Sequence, residues 1–292
     1  MLPYGDKCCQ SPDHTLDPLP RISIIIQYFK MPINIPILSL WKQCKGVELI
    51  VNVDSRDDGD LQWLKTNADS IVFSNNVHEI RAYNRLARFS RAPIVAFVQD
   101  DRSPFSSCGY IDHLETMFSD DVKLAIVGLN VVTTTPKNFK YGQYKHTAYE
   151  RGTHIWRWNI IAEYAANVDV GPFIARRSAF MILGGFDESI SDPGKPGMDL
   201  DFELSCRAWL NGFHVALYDF RASGMRLIEN ASGPSGRNGL RNKADGSDRR
   251  KEKKAYVDRK FALMHPHFLN ITLAVIELNR NKGSGVPKPI FA

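Results

Sequence analysis

Residues 93 to 104 constrain this chain more than any other stretch: Pro93, then Ile-Val-Ala-Phe-Val-Gln, then Asp100, Asp101, Arg102, Ser103 and Pro104. The apolar run is nearly continuous and rich in β-formers, which predicts a strand buried on both faces. Two adjacent carboxylates follow at its carboxyl end, and Pro104 stops further regular structure. In open α/β sheets, ligands bind in the crevice beyond the strand ends. Paired carboxylates placed there suit a hard divalent cation that takes oxygen ligands and is shared with phosphates. Taken alone, the pair is explained at least as well by a loop whose acids cap turns or face solvent.

The chain before it alternates strand and helix patterns. Strands are predicted at 21 to 28, 47 to 53 and 70 to 73, with a short helix at 37 to 43. Residues 78 to 90 have helical spacing, with Ile80, Tyr83, Leu86 and Ala87 on one stripe. Strands alternating with helices predict an α/β fold with a largely parallel sheet and right-handed crossovers. Each strand ends in polar residues: Gln27, Asp54 to Asp58, Asn75 and Asn76, and the Asp100–Asp101 pair. One edge of the sheet is therefore expected to be a polar crevice.

A length of 292 residues admits one large α/β domain or two small ones. The hydrophobic share of 43% and charged share of 24% are ordinary for a folded domain with a sizeable core. No apolar run approaches the roughly 20 residues that cross a bilayer. Residues 1 to 20 are polar and proline-punctuated, read as a loose arm and not a signal peptide. Cysteines at 8, 9, 44, 108 and 206 are an odd set without metal-type spacing, which fits reduced thiols and a cytoplasmic setting.

The net charge of +5 is concentrated in one place. Residues 237 to 260 hold ten Lys/Arg and four acids, a local +6 that leaves the remainder at −1. Gly233-Pro234-Ser235-Gly236 stands just upstream, so the segment reads as a basic loop leading into a helix. Such a run is either a solvated face or a binder of phosphate or an anionic surface, and peripheral membrane contact through it stays open. No nucleic-acid motif accompanies it, and nucleic acid is not an expected partner.

Beyond residue 105 the pattern loosens. A helix is predicted at 110 to 118 and a strand at 123 to 132. An irregular region follows, rich in aromatics and cations, including Tyr141, Tyr144, His146, Trp156, Arg157 and Trp158. These suit sugar stacking or acceptor binding, with core packing the plainer role. A strand at 168 to 175 is broken by Gly171-Pro172, and a helix at 177 to 183 ends at Gly184-Gly185. In the next helix Phe202, Cys206, Trp209 and Leu210 form an apolar stripe, with Asp199 as N-cap and Gly212 as stop. Glu203 and Arg207 form an i,i+4 pair, read as exposed. The positive helix end accounts for Asp199 fully, Glu203 largely and Asp201 only in part.

The order Ser23-Ile24-Ile25-Ile26, Glu48-Leu49-Ile50-Val51, Ala82-Tyr83-Asn84, Phe97-Val98-Gln99-Asp100-Asp101, Arg176-Arg177, Gly184-Gly185-Phe186-Asp187-Glu188 and Leu200-Asp201-Phe202-Glu203-Leu204 with Arg207 and Gly212-Phe213 resembles family 2 glycosyltransferases over about residues 21 to 225. Each motif is loose; their order and spacing together are fairly specific. The resemblance implies a GT-A fold, a Rossmann-like mixed but mostly parallel sheet flanked by helices, in one domain. It also implies a nucleotide-sugar donor, a glycan or glycoconjugate acceptor, Mn2+ or Mg2+ at an Asp-x-Asp motif, and inversion by direct displacement.

Carried over by position, Gln99-Asp100-Asp101 occupies the Asp-x-Asp site, with Gln in place of the first acid. Asp101, with Asp100, is then the metal ligand. Gln27, Tyr28, Asn52, Asp54, Arg81, Asn84, Gln99 and Asp100 fall on the nucleotide-sugar side. Trp156, Trp158, Gly171 and Glu203 fall on the acceptor side. Asp201 is the implied general base, although Leu200 replaces the Glu of the usual Glu-Asp pair, and no His stands near 223 to 226. The domain layout follows: an arm at 1 to 20, a catalytic domain at 21 to 232 whose donor half ends near 105, and a basic loop with a helical segment at 233 to 292. Two rival functions remain. A non-catalytic sugar- or nucleotide-binding module would keep the fold and lose turnover. A metal-dependent nucleotidyltransferase would want a Gly-rich loop where Gln27-Tyr28-Phe29-Lys30 stands.

Overall fold

The structure, a computed structural model, describes residues 18–28, 40–54, 61–99, 105–129, 155–156, 160–168, 172–194, 200–220, 223–226 and 249–282. Its first strands are β1 (Ile22–Tyr28), β2 (Val47–Val53), β3 (Ser70–Phe73) and β4 (Ile94–Gln99). β1 and β2 are buried along their whole length, as their unbroken aliphatic sequences require. Helices α1 (Leu61–Asn67) and α2 (His78–Phe89) connect them. After α3 (Gly109–Asp120) come β5 (Leu124–Leu129), β6 (Ile155–Trp156), β7 (Ile160–Tyr164) and β8 (Phe173–Arg176). Then follow α4 (Arg177–Ile182), α5 (Leu200–Leu210), β9 (His214–Tyr218), α6 (Arg249–Met264) and α7 (Phe268–Lys282).

Among the described residues these strands form one sheet in the order β3-β2-β1-β4-β8-β5-β9-β7-β6. The first four run parallel, and β8 and β7 run against all the others. The α/β architecture and the mostly parallel, helix-flanked sheet agree with the sequence reading. That reading missed β6, β7, β9 and α1, whose segments are short and lack strong periodicity.

Two hydrophobic layers cover the sheet. Ile24, Ile26, Leu49, Val51, Ala96 and Val98 face one way, toward α3, α6 and α7. Ile25, Ile50, Val95 and Phe97 face the other, toward α2, α4 and α5, where Tyr83, Phe173, Phe180 and Phe186 ring Phe97 at centroid distances of 4.8 to 5.9 Å, and Phe186 also contacts each of the other three rings. Burying each such side chain stabilises the fold by about 1.5–3 kcal/mol. Close approach shapes the second half too. A Cβ on Gly128 in β5 would meet Val168 at 2.3 Å, so only glycine lets that loop lie on the sheet.

The second half adds polar struts. Arg176 of β8 donates to the carbonyls of Leu124, Phe118 and Asp121 and fastens α3 to the sheet. Asn279 of α7 pairs with Tyr164 of β7 through both the amide N–H and the carbonyl, as a neighbouring strand would. Asp121 takes hydrogen bonds from Tyr164 Oη at 2.7 Å and pairs with His214 Nδ1 at 2.7 Å. Burial alone would raise the Asp121 carboxyl; the His214 and Tyr164 contacts and the Lys123 amide overcome it and hold the group at about 2.

Two expectations are corrected. Cys44 and Cys108 form a disulfide, their Cα atoms 5.5 Å apart across 64 residues of sequence. Spacing gave no sign of it, because the fold brings together the turn before β2 and the cap of α3. The premise behind a cytoplasmic setting therefore fails for that pair. Cys206 is free and buried, its thiol pushed up to about 12 by burial and by Glu203. The second correction concerns membrane-length segments. Residues Ala255–Asn281 form one helical stretch long and apolar enough to cross a bilayer by length and composition. In sequence, His265-Pro266-His267 interrupts the apolar run; in the fold those residues make a 3-10 turn that continues the helix.

Candidate functional site

The carboxyl edge of the parallel strands gathers the sequence-predicted donor residues. Gln27 stands opposite Asn52 on β2 and opposite Gln99 on β4, so three amides form a row across β2, β1 and β4. They sit one step beyond Ile25, Ile50 and Phe97 on the same face, where the hydrophobic layer gives way to polar groups. Tyr28 alternates to the opposite face and is buried in the other core layer.

Asp54 organises this edge. Its carboxylate accepts from Gln27 Nε2 at 3.1 Å and Ser74 Oγ at 2.6 Å, and from the Val77 and His78 amides at 2.8 and 2.9 Å. Those two amides open α2, where a carboxylate complements the positive helix end. Four donors occupy the lone pairs of a carboxylate, so Asp54 works here as the keystone of the loop. The loop is strained accordingly, with Asn76 at φ 55° and His78 at φ 63° in the left-handed region. Asn52 donates to Ser74 Oγ at 2.8 Å, while its own Oδ1 is buried without a hydrogen-bond partner. An orphan buried acceptor costs about 1–3 kcal/mol, which a ligand N–H would recover. Ser74 and His78 carry this geometry and had no motif to announce them.

Arg81 and Asn84, also placed on the donor side by sequence, project from α2 onto the segment after Gly184-Gly185. Arg81 donates to the carbonyls of Glu188 and Ser191 at 3.0 and 2.9 Å. Asn84 takes the Phe186 amide at 2.8 Å and returns a bond to the Phe186 carbonyl at 2.8 Å. Gly185 has φ 76°, and a Cβ there would strike Asn84 Oδ1 at 2.5 Å. Both side chains therefore brace the turn that leads toward α5. Gln99 donates to Glu79 at 3.3 Å.

Asp201 lies in the first turn of α5. The helix leads through Asn211, Gly212 and Phe213 into β9, which starts at the amino edge of the sheet, where His214 pairs with Leu124. The amino end of α5 is therefore at the opposite, carboxyl edge, the same edge as the amide row. Asp201 is partly exposed, and its Oδ1 accepts the Phe202 amide at 2.8 Å.

Glu203, two residues on, differs completely, and the expected exposed pair with Arg207 is corrected. Its side chain is 0% exposed. Arg207 meets both oxygens at 2.6 and 2.9 Å and also donates to the Leu183 and Gly185 carbonyls. Lys260 from α6 adds a contact at 2.7 Å and pairs with Asp187, which takes a further bond from Tyr256 at 2.7 Å. With its oxygens spent on this network, Glu203 serves the fold and not an acceptor. Burial would raise the Asp187 carboxyl, yet Lys260, Tyr256 and the Ser189 amide hold it at about 2. Asp187 was visible in the Gly-Gly-Phe-Asp-Glu motif; Tyr256 and Lys260 looked like part of the charge run.

Asp100, Asp101, Trp158 and Gly171 lie outside the described residues, and Trp156 is placed only as part of β6. Among the described residues no group of three His, Cys, Asp or Glu side chains could hold a metal ion. Asp100 and Asp101 directly follow β4 and carry the hard oxygen donors that Mn2+ and Mg2+ prefer.

No family model matches the chain, and a search of curated proteins finds no match. Solved structures do share the fold. GalNAc-T7 crystallised with UDP, GalNAc and Mn2+ is similar with a TM-score of 0.52 at 13% identity, over 72% of this chain and 44% of that one. This chain thus spans less than half of that protein's length. The mannosyltransferase PcManGT from Pyrobaculum calidifontis, in complex with GDP-Man and Mn2+, gives a TM-score of 0.51 at 15% identity, over 94% of this chain and 79% of its own. The fold is accordingly GT-A, a Rossmann-like mixed sheet.

Proposed function

We propose that this chain is a glycosyltransferase that moves a sugar from a nucleoside-diphosphate donor to a hydroxyl of a glycan or glycoconjugate. The carrying observation is that the Gln27–Asn52–Gln99 row and the amino end of α5 with Asp201 lie at the same edge of the sheet. The fold neighbours support the reading, since their structures hold UDP or GDP-Man together with Mn2+.

The amide row offers hydrogen bonds to a nucleobase or ribose, with Asn52 Oδ1 as an acceptor that the protein leaves unspent. Asp100 and Asp101 would hold the divalent cation, whose charge when bound offsets that building on the diphosphate leaving group. Asp201 accepts the proton of the acceptor hydroxyl as its oxygen attacks the anomeric carbon, and the sugar–phosphate bond breaks on the far face with inversion. The positive helix end complements the Asp201 carboxylate. Arg81 and Asn84 hold the turn that aims α5, and the Glu203 network keeps α5 seated.

A non-catalytic binding module is the second reading, favoured by Gln99 standing where an acid is usual. Isothermal titration of UDP and GDP with Mn2+ tests the donor site. Wild type should bind one of them only with metal present, and Asp101→Asn should lose that dependence while keeping its unfolding temperature. Affinity in the presence of Mn2+ that is unchanged in Asp101→Asn would remove Asp101 as the metal ligand from the account.

A further inference from the structure

The segment from α6 through α7 has two unlike faces. Phe261, Met264, Phe268, Ile271 and Val275 point inward and are buried in the core, and Asn279 is tied to β7. On the outward side Leu263 is 73% exposed, Leu269 65% and Leu273 53%, with Ala262 and Pro266 exposed between them. From 262 to 273 that stripe extends roughly 16 Å at the helical rise. Its position in sequence is not random with respect to charge. Five of the first six residues of α6 are Lys or Arg, exposed Arg259 stands just before the stripe, and exposed Glu277 and Arg280 follow it.

We propose that this outer face is a docking surface for an anionic lipid bilayer. Isolated exposed leucines are ordinary, but three on one helical side with cations beside them form the amphipathic pattern that partitions into the headgroup boundary. Because the inner face stays packed on the sheet, the segment lies along the membrane and does not cross it. The leucines supply burial of apolar area, and exposed Arg259 and Arg280 supply attraction to acidic headgroups, which salt screens. The polar sheet edge would then be held near the surface on which lipid-anchored or surface-bound acceptors lie. The surface itself stands independently of the transferase reading.

Cosedimentation of the full chain with vesicles decides the matter, using phosphatidylcholine alone and phosphatidylcholine mixed with phosphatidylglycerol. The chain should pellet with the mixed vesicles at least about tenfold more than with neutral ones, and less at high salt. The double variant L269D/L273D changes exposed positions only, so near-ultraviolet circular dichroism should match wild type while pelleting falls to the neutral-vesicle level. Pelleting that survives L269D/L273D would overturn the proposal. So would a concentration-dependent dimer abolished by that variant without any vesicle binding, since a second copy would then be the occupant of the stripe.

Discussion

The two halves of the sheet are held by different means. In β3-β2-β1-β4, parallel neighbours pack aliphatic side chains on both faces, and polar contacts are confined to the strand ends, as with Ser23–Glu48–Arg91 at one edge and Asp54 at the other. In β8-β5-β9-β7-β6 parallel and antiparallel pairings mix, and side chains complete what strand pairing leaves open: Arg176 on carbonyls, Asn279 against Tyr164, Asp121 between Tyr164 and His214, and Lys260 between Asp187 and Glu203. The first half gives a rigid polar rim. The second makes the placement of α5 depend on charge.

The largest effect should come from the hydrophobic half. Ile25→Ala, at a fully buried position in the middle of the sheet, should cost about 2–5 kcal/mol in urea unfolding, with little change between pH 4 and 7. A strong pH dependence of that loss would break the contrast between the halves. Glu203→Gln comes next. It leaves Arg207 and Lys260 without their shared buried partner, and one-sided removal from a buried pair costs about 3–5 kcal/mol, toward the lower end here because both cations reach solvent. A loss within a few tenths of a kcal/mol would mean that the network relaxes freely.

A subtler test uses acid. Asp121 and Asp187 are held at about 2 against an ordinary 3.8, so each binds its proton less readily folded than unfolded. Their stabilisation is present above pH 4 and is lost as pH falls from about 4 to about 2. Amide exchange in β9 and α6 should therefore accelerate in that window before exchange in β1 and β2 does. In Asp187→Asn the acceleration at α6 should flatten. Simultaneous loosening of all four elements would contradict the division.

The same division explains what the sequence revealed. β1, β2 and β4 were legible because continuous apolar runs between polar ends have few other uses, and the pattern of α2 placed it within a residue. The polar row at the carboxyl edge followed, since strand ends of a parallel sheet share one edge. The second half was harder to read because its decisive contacts link residues far apart: Asn279 with Tyr164, Lys260 with Glu203, Cys44 with Cys108. Nothing local in Lys260 separates it from its neighbours in the basic run; only the fold sets it between two carboxylates. Glu203 looked like half of an exposed pair for the same reason, because helical spacing gives its relation to Arg207 but not what packs over both.

Asp201 and Glu203 carry the comparison into function, one partly exposed at the rim and one sealed in the network. The most direct measurement is donor affinity and sugar transfer in Asp201→Asn, assayed with the nucleotide sugar and metal that wild type binds. Affinity should stay within about twofold of wild type while turnover falls by roughly 10²-fold or more, the scale of a lost general base. Turnover equal to wild type in that variant, with the fold intact, would contradict the account.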